Sequence, residues 1–435
     1  MASISSLYQI YLNHPTICTD TRNITEGSIF FALKGDHFDA NTFAERALQN
    51  GAAYAVIDND AYKVDERCIL VADVLQTLQQ LASHHRGQLN IPVIGLTGTN
   101  GKTTTKELIR AALSGKYKTF ATKGNLNNHI GVPVSILSIT NEIEIAVIEM
   151  GANHQKEIEF LCGIAQPTHG LITNVGMAHL EGFGGFEGVK KGKSELYAYL
   201  AQHQGKVFIN SDNTNLLEMS VATALDQEKI VWYGTGQGDF ISGVLLKADP
   251  LLELSWTMQS NTFYTSVNLT GAYNFENVLA AICIAGFFEV DPKQISSGLA
   301  SYMPTNNRSQ IIKTTYNTVI GDFYNANPSS MSAALKNIAL LNAAHKTLII
   351  GDMFELGDES AVQHDLIAGE AAALNADTLI LVGKYFYALK DKYKGMFFST
   401  PAEATEYIRA NPVQNNLILL KGSRGMALEQ LLPLL

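Results

Sequence analysis

The sequence predicts an α/β protein of three consecutive domains. These are a small N-terminal α/β domain (residues 1–88), a central P-loop ATPase-like parallel-sheet domain (89–305) and a C-terminal Rossmann-like, doubly wound domain (306–435). Three observations predict this. The chain has 435 residues, enough for two to four domains. Short apolar runs alternate with helical patterns, which implies parallel sheets with right-handed crossovers. One apolar run, Ile91 to Leu96, leads through Gly98-Thr99-Asn100-Gly101-Lys102-Thr103 into a helical pattern, the layout of a phosphate-binding loop.

Composition narrows the class. Hydrophobic residues make up 46% and charged residues 17%, so every domain can bury a core. The net charge of −10, from 31 basic and 41 acidic residues, argues against broad binding of nucleic acid or anionic membranes. Cys18, Cys68, Cys162 and Cys283 lie far apart with no C-x-x-C pair, so neither a disulfide framework nor a zinc site is expected, and a reducing cytosol fits. Met1 to Leu12 lacks the basic and apolar regions of a signal peptide, and no apolar run is long enough to span a bilayer. A cytoplasmic monomer without membrane insertion is the expectation.

In the first domain, Ser28 to Leu33 and Ala53 to Ile57 read as strands and Ala40 to Gln49 as a helix. His84 and His85, in the helical stretch Leu75 to Arg86, read as surface or structural residues. In the central domain the buried strand before Gly98 is followed by a helix from Lys102 to Leu113, with Leu108, Ile109, Ala112 and Leu113 at helical spacing. Ala121 to Pro133 is polar and rich in asparagine, a loop. Glu144 to Met150 reads as a strand ending at Glu149, and Gly170 to Val175 as one leading to His179. Glu187 to Leu200 is a helix carrying Lys190, Lys191 and Lys193, and Val207 to Asn210 is another strand. Residues 231–270 alternate like antiparallel strands, and an alanine-rich helix runs from Gly271 to near Phe288. In the third domain, strands at 318–320, 347–350, 378–382 and 416–420 alternate with helices at 329–341, 361–374 and 401–409, with no G-x-G-x-x-G fingerprint for a dinucleotide.

The chemistry begins at the loop. Gly98 and Gly101 let the backbone turn tightly enough for N–H groups to converge on phosphate oxygens. The helix N-terminus adds partial positive charge, Lys102 a full one, and Thr103 a hydroxyl suited to Mg²⁺. Leu96 stands where the full eight-residue pattern has its first glycine, so the loop is a shortened form. Glu149, His179 and Lys193 each have an ordinary structural reading, as a cap, a satisfied histidine or an ion-paired lysine. Together with Lys102 and Thr103 they fit a two-metal phosphoryl-transfer site.

At this point the chain resembles the ATP-dependent Mur ligases of peptidoglycan synthesis. The resemblance rests on Thr97 to Thr104, Glu149-Met-Gly-Ala-Asn153, Asn174-Val-Gly-Met-Ala-His179, Lys193-Ser-Glu195, Gly271-Ala-Tyr-Asn-Phe-Glu-Asn277 and Arg308. Asp20-Thr-Arg22 with Gly27 to Gly35, Asn125-Leu-Asn-Asn128, Asp322 to Pro328, Gly351 to Gly357 and Lys421 to Arg424 are similar to the branch that adds D-alanyl-D-alanine to UDP-N-acetylmuramoyl-tripeptide. That implies a role in cell-wall biogenesis, and so in cell shape and division. The resemblance implies that Gly98, Thr99, Asn100, Gly101, Lys102, Thr103 and Thr104 hold the ATP phosphates. It puts one Mg²⁺ on Thr103 and Glu149 and a second on His179, with Lys193 carbamylated by CO₂ to complete that site. It puts Asn274 and Asn277 near the adenine, and Arg308 and Asp322 on ATP from the third domain. Thr21, Arg22, Lys34 and Gly35 would hold the UDP end, with Asn125 and Asn128 also on substrate. Asn325, Asn327 and Phe354 to Leu356 would lie near the dipeptide. The D-N-P-R motif of the diaminopimelate-adding relatives is absent, and the third residue of the tripeptide, lysine or diaminopimelate, stays open.

Two rivals are a folylpolyglutamate synthase of the same superfamily, disfavoured by the Asp20 to Lys34 pattern, and a nucleotide-gated binding module, which needs fewer metal ligands. The third domain is expected to swing about a hinge near Pro304 to Asn307 and to stand open without ligands.

Overall fold

The structure, a computed structural model, describes residues 2–305 and 308–435. Its first sheet has four short parallel strands, Ile17–Cys18, Ile29–Phe31, Tyr54–Ile57 and Cys68–Leu70, in that order. The helical stretch after the second strand divides into a 3₁₀ turn, Ala40–Phe43, and an α-helix, Ala44–Gln49. Helix α1, Val74–Gln88, starts where the Asp73 carboxylate accepts the Gln76 N–H (2.7 Å). Its His85 is structural: Nε2 lies 2.9 Å from the Ile139 carbonyl, Nδ1 3.1 Å from the Tyr8 hydroxyl, and burial lowers its pKa. Arg86 donates to the carbonyls of Ala165 and Gln166. One apolar cluster therefore runs from Leu7, Phe31 and Val56 through Leu78 to Val93, Ile136 and Ile148. The sequence boundary near residue 88 separates sheets but not cores.

The middle sheet has nine strands. Strand β1, Val93–Thr97, lies parallel between β2, Ile145–Glu149, and β3, His169–Ile172. All five residues of β1 are buried, as a strand covered on both faces requires. Outside β2 is Thr119–Ala121; outside β3 come Lys206–Asn210, Ile230–Gly234 and then Ile241–Lys247, Leu252–Met258 and Asn261–Val267. The antiparallel reading of 231–270 holds only for the last three. Ile230–Gly234 pairs parallel with both Lys206–Asn210 and Ile241–Lys247, and the ladder turns antiparallel only beyond Ile241–Lys247. Helices α2, Lys102–Leu113, and α3, Phe186–Gln202, follow the functional strands. Helix α4, Asn274–Phe287, is buried from Asn277 to Gly286 and packs against α2. Helices Thr214–Ala222 and Pro292–Ser301 were not read from the sequence.

The third sheet runs Gln310–Lys313, β4 (Thr318–Asp322), β5 (Leu417–Lys421), Lys346–Gly351, Thr378–Val382 and Met396–Phe398. All pairs are parallel except the first, an antiparallel edge. Insertion of β5 between β4 and Lys346–Gly351 gives the doubly wound order. Helix α5, Pro328–Leu340, leaves the C-terminal side of β4.

Candidate phosphoryl-transfer site

The loop at the C-terminal end of β1 has glycine where nothing else fits. Gly98 has φ +144°, and a Cβ there would lie 2.0 Å from the Thr173 hydroxyl oxygen; Gly101 has φ +78°, and its Cβ would lie 2.7 Å from Asn277 Oδ1. Gly101 precedes α2 without a side-chain cap, so the first-turn N–H groups are left for a ligand. Lys102 Nζ folds back on the carbonyls of Gly98 (2.8 Å) and Thr99 (3.0 Å). Its dense surroundings push its pKa down to about 8, with Glu149 opposing and Arg308 adding to the shift. The Asn174 side chain holds the loop by accepting the Asn100 N–H (2.9 Å), while Thr99 Oγ1 accepts the Gly176 N–H (2.9 Å).

Glu149 ends β2 beside this loop and is almost fully buried. Its carboxylate accepts from the Thr103 hydroxyl (3.0 and 3.2 Å) and from Asn127 Nδ2 (2.9 Å), and Lys106 Nζ lies 3.6 Å away. A hydroxyl and a carboxylate this close are the hard oxygen donors that Mg²⁺ prefers, so these residues fit the ion. Lys106 and Asn127 were not assigned roles from sequence, although Lys106 sits one turn beyond Lys102 on the same helix face. Asn125 and Asn128 line the same cleft. Asn128 Oδ1 is occupied with the N–H groups of Ile130 (3.1 Å) and Gly131 (2.8 Å), starting the helix Gly131–Ile136 inside the stretch read as loop.

His179 lines the cleft at φ +52°, and its Nδ1 meets the carboxylate of Glu355. Burial lowers its pKa; Glu355 opposes that, and Lys102 and Lys193 reinforce it. Lys193, on α3, is buried, with Nζ 3.4 Å from the Ala152 carbonyl and 5.3 Å from the centre of the Phe183 ring. Burial and the charge of Lys102 hold its pKa well below the usual lysine range. A buried amine whose burial favours the neutral form is the kind of group that can take up CO₂ as a carbamate. Among the described residues no three His, Cys, Asp or Glu side chains gather as a metal site.

The third domain closes the cleft, a cavity of about 610 Å³ lined by Thr99, Lys102, Glu149 and His179 together with Arg308, Asp322, Asn325 and Asn327. The domain is docked on the loop. Asn327 Nδ2 donates to Asn100 Oδ1 (2.8 Å), the Met177 N–H donates to Ser329 Oγ (3.2 Å), and Asn342 Nδ2 donates to the Asp249 carboxylate (2.8 Å). Of the expected hinge, Asn306 and Asn307 lie outside the described residues. Asp322 accepts from Lys421 (2.7 Å), whose Nζ also lies 3.3 Å from the Asn325 carbonyl. Arg308 stacks on the Tyr324 ring at 4.0 Å, and its buried Nε finds no hydrogen-bond partner among the described residues. Asn274 and Asn277 also line the cleft, tied to Thr270, Thr105 and each other behind Gly101. Thr21, Arg22, Lys34 and Gly35 do not reach this cavity. Arg22 is exposed and pairs with Asp20, and Lys34 pairs with Asp58. In the stretch Phe354 to Leu356, Glu355 faces His179 and Leu356 is buried.

Comparison with known proteins agrees with this geometry. The Mur ligase middle domain matches residues 96–285, and the Mur ligase glutamate ligase domain matches 307–424. The UDP-N-acetylmuramoyl-tripeptide–D-alanyl-D-alanine ligase of Bacillus subtilis (strain 168) is 34% identical over 427 residues, covering 95% of this chain and 92% of the relative. A crystal structure of MurF from Acinetobacter baumannii superposes with a TM-score of 0.86 at 33% identity, covering 96% of this chain and 92% of that one. MurF ligase from Thermotoga maritima, solved in complex with ADP, shares the fold at a TM-score of 0.84 and 24% identity, covering 100% of this chain and 98% of that one.

Proposed function

We propose a residue-level mechanism for a chain that belongs to the Mur ligase family: it is an ATP-dependent ligase that joins D-alanyl-D-alanine to UDP-N-acetylmuramoyl-tripeptide. The observation that carries the mechanism is the single cavity in which the phosphate loop, Glu149 and His179 meet Arg308, Asp322 and Asn325.

A carboxylate is a poor acyl donor because its leaving group is oxide. The terminal carboxylate of the tripeptide attacks the γ-phosphorus of ATP, forming an acyl phosphate and releasing ADP. The amine of D-alanyl-D-alanine, having lost its ammonium proton to solvent, attacks the acyl carbon; phosphate leaves with the bonding pair and takes up the proton that the new amide nitrogen gives up. Gly98 to Thr104 cradle the phosphates, and Lys102 moves from its loop carbonyls to the transferring group. Asn274 and Asn277 support the nucleotide from behind the loop. Arg308, stacked on Tyr324, and Asp322 engage it from the third domain. Thr103 with Glu149, and His179 with a carbamate on Lys193, would hold two Mg²⁺ ions, whose chemistry is to offset charge on the transferring phosphoryl group. The low Lys193 pKa supports the carbamate, since only a neutral amine reacts with CO₂.

Thr21, Arg22, Lys34 and Gly35 of the domain at 1–88 bind the UDP end. Asn125 and Asn128 of the domain at 89–305 line the path to the reacting carboxylate. Asn325 of the domain at 306–435 faces the dipeptide, and Asn327 fastens that domain to the loop. The docked domain keeps water from the acyl phosphate. We read the enzyme as a cytoplasmic monomer, consistent with four free, buried cysteines and with no helix among the described residues long and apolar enough to cross a membrane.

The test is ADP release with each substrate omitted in turn, using the lysine and the diaminopimelate tripeptides separately. Sustained release over many turnovers should require both the tripeptide and D-alanyl-D-alanine. Equal release without the dipeptide would refute coupled ligation.

A further inference from the structure

Glu355 reaches His179, at the edge of the cleft, from the third domain, and the mechanism above gives it no task. Its segment is held at three points. The Asp352 N–H donates to the Val382 carbonyl (2.9 Å), the Met353 N–H to His364 Nε2 (2.9 Å) and the Phe354 N–H to Ser423 Oγ (3.0 Å). His364 is itself fixed: it is fully buried, and Nδ1 donates to the Ser360 carbonyl (2.6 Å), which leaves the Nε2 lone pair for Met353.

Glu355 then takes a left-handed backbone, φ +62°, and its carboxylate meets His179 Nδ1. His179, also left-handed, precedes the short helix Leu180–Phe183, which packs against the 3₁₀ turn Gly357–Glu359. Two non-glycine residues in a sparsely populated conformation thus face each other across a domain boundary. Such backbone persists where the surroundings over-determine it, and it clusters at functional sites.

A carboxylate on one ring nitrogen fixes a histidine tautomer. Nδ1 keeps its hydrogen, and Nε2 presents its lone pair. We infer that Glu355 is a positioning residue for His179, supplied across the domain boundary, which turns Nε2 into the cleft as a ligand for a divalent cation only when the third domain is docked. This rests on the reading of His179 as a metal ligand. Docking and cation binding are then linked, and each strengthens the other by the same factor.

Mn²⁺ binding to the full chain with a non-hydrolysable ATP analogue, followed by electron paramagnetic resonance, tests this. Wild type should hold two ions and His179→Ala one. Glu355→Ala should bind the second ion roughly 10- to 100-fold more weakly, with part of the affinity recovered in Glu355→Asp. Imidazole ¹⁵N spectra of the ligand-free chain should show the Nδ1–H tautomer of His179 in wild type and a mixture in Glu355→Ala. Because the Glu355 side chain is 60% exposed, its loss should leave the far-ultraviolet circular dichroism unchanged. Two tightly held ions in Glu355→Ala, alongside one in His179→Ala, would overturn the inference and leave the ligand reading intact. Two ions in His179→Ala would overturn the ligand reading. A raised KM for D-alanyl-D-alanine in Glu355→Ala with unchanged Mn²⁺ affinity would assign Glu355 to the dipeptide instead.

Discussion

The middle and third sheets place the same pair of groups at the same point and use them differently. Each has an acidic residue at the C-terminal end of a parallel strand, Glu149 on β2 and Asp322 on β4, and each acid lies beside a buried lysine, Lys106 and Lys421. The difference is in the next helix. Gly101 gives α2 no side-chain cap, so its N-terminal N–H groups and Lys102 remain available to a phosphate. Helix α5 caps itself: Asn327 accepts the Ser330 N–H (2.9 Å), Ser330 Oγ accepts the Asn327 N–H (3.1 Å), and Pro328 removes one donor altogether. A strand-end carboxylate marks a place in an α/β sheet. What the helix N-terminus leaves unsatisfied decides whether that place binds an anion or docks a neighbouring domain.

The largest test of this contrast is Lys102→Ala. Ligation at saturating ATP should fall about 10²–10³-fold, with the melting temperature unchanged or raised, because the hydrogen bonds of Lys102 among the described residues go to loop carbonyls. Activity within about twofold of wild type would remove the distinction between the two sheets. Lys193→Ala should follow, with a loss of about 100-fold partly restored by short-chain carboxylic acids. A ¹³C carbamate signal from labelled bicarbonate should be present in wild type and absent in the variant. Wild type without that signal would leave Lys193 as a buried amine.

The pH response of the loop is the next smaller effect. The free-enzyme pKa of Lys102 is about 8, so its charge is present below that pH and is lost as the pH rises through it. A bound phosphate favours the charged form. Nucleotide affinity measured without Mg²⁺ should therefore hold steady below pH 8 and fall about tenfold per unit above it. In Lys102→Met that bend should disappear from calorimetric titrations.

What could be read from the sequence was local. Strand, glycine turn, Lys-Thr and helix are contiguous, so Gly98 to Thr103 were recoverable from spacing, as were the apolar runs of β2, β4 and β5. Lys106 was missed because a lysine in an amphipathic helix looks solvent-facing, and only the packing of Thr122 and Glu149 around it shows otherwise. Ile230–Gly234 was assigned the wrong direction because alternation over five residues does not reveal its partner. The edge strands Gln310–Lys313 and Met396–Phe398 are too short to show a period. Docking of the third domain joins Asn100 to Asn327 and His179 to Glu355, pairs too distant in the chain for any periodicity to link.

Asn327 gives the smallest and most discriminating test, because its side chain has two jobs: Oδ1 caps α5 and Nδ2 reaches Asn100 in the phosphate loop. Asn327→Ala loses both and should cost about 1 kcal/mol of stability through the cap alone. Asn327→Ser keeps a capping oxygen but is too short to reach Asn100, so its stability should stay close to wild type. If docking acts through the loop, the two variants should show the same modest rise in KM for ATP while differing in thermal midpoint. If the cap is all that matters, Asn327→Ser should match wild type in both. A KM unchanged in Asn327→Ala would mean that the third domain closes over the loop without steadying it, and α5 would then differ from α2 only in what it excludes.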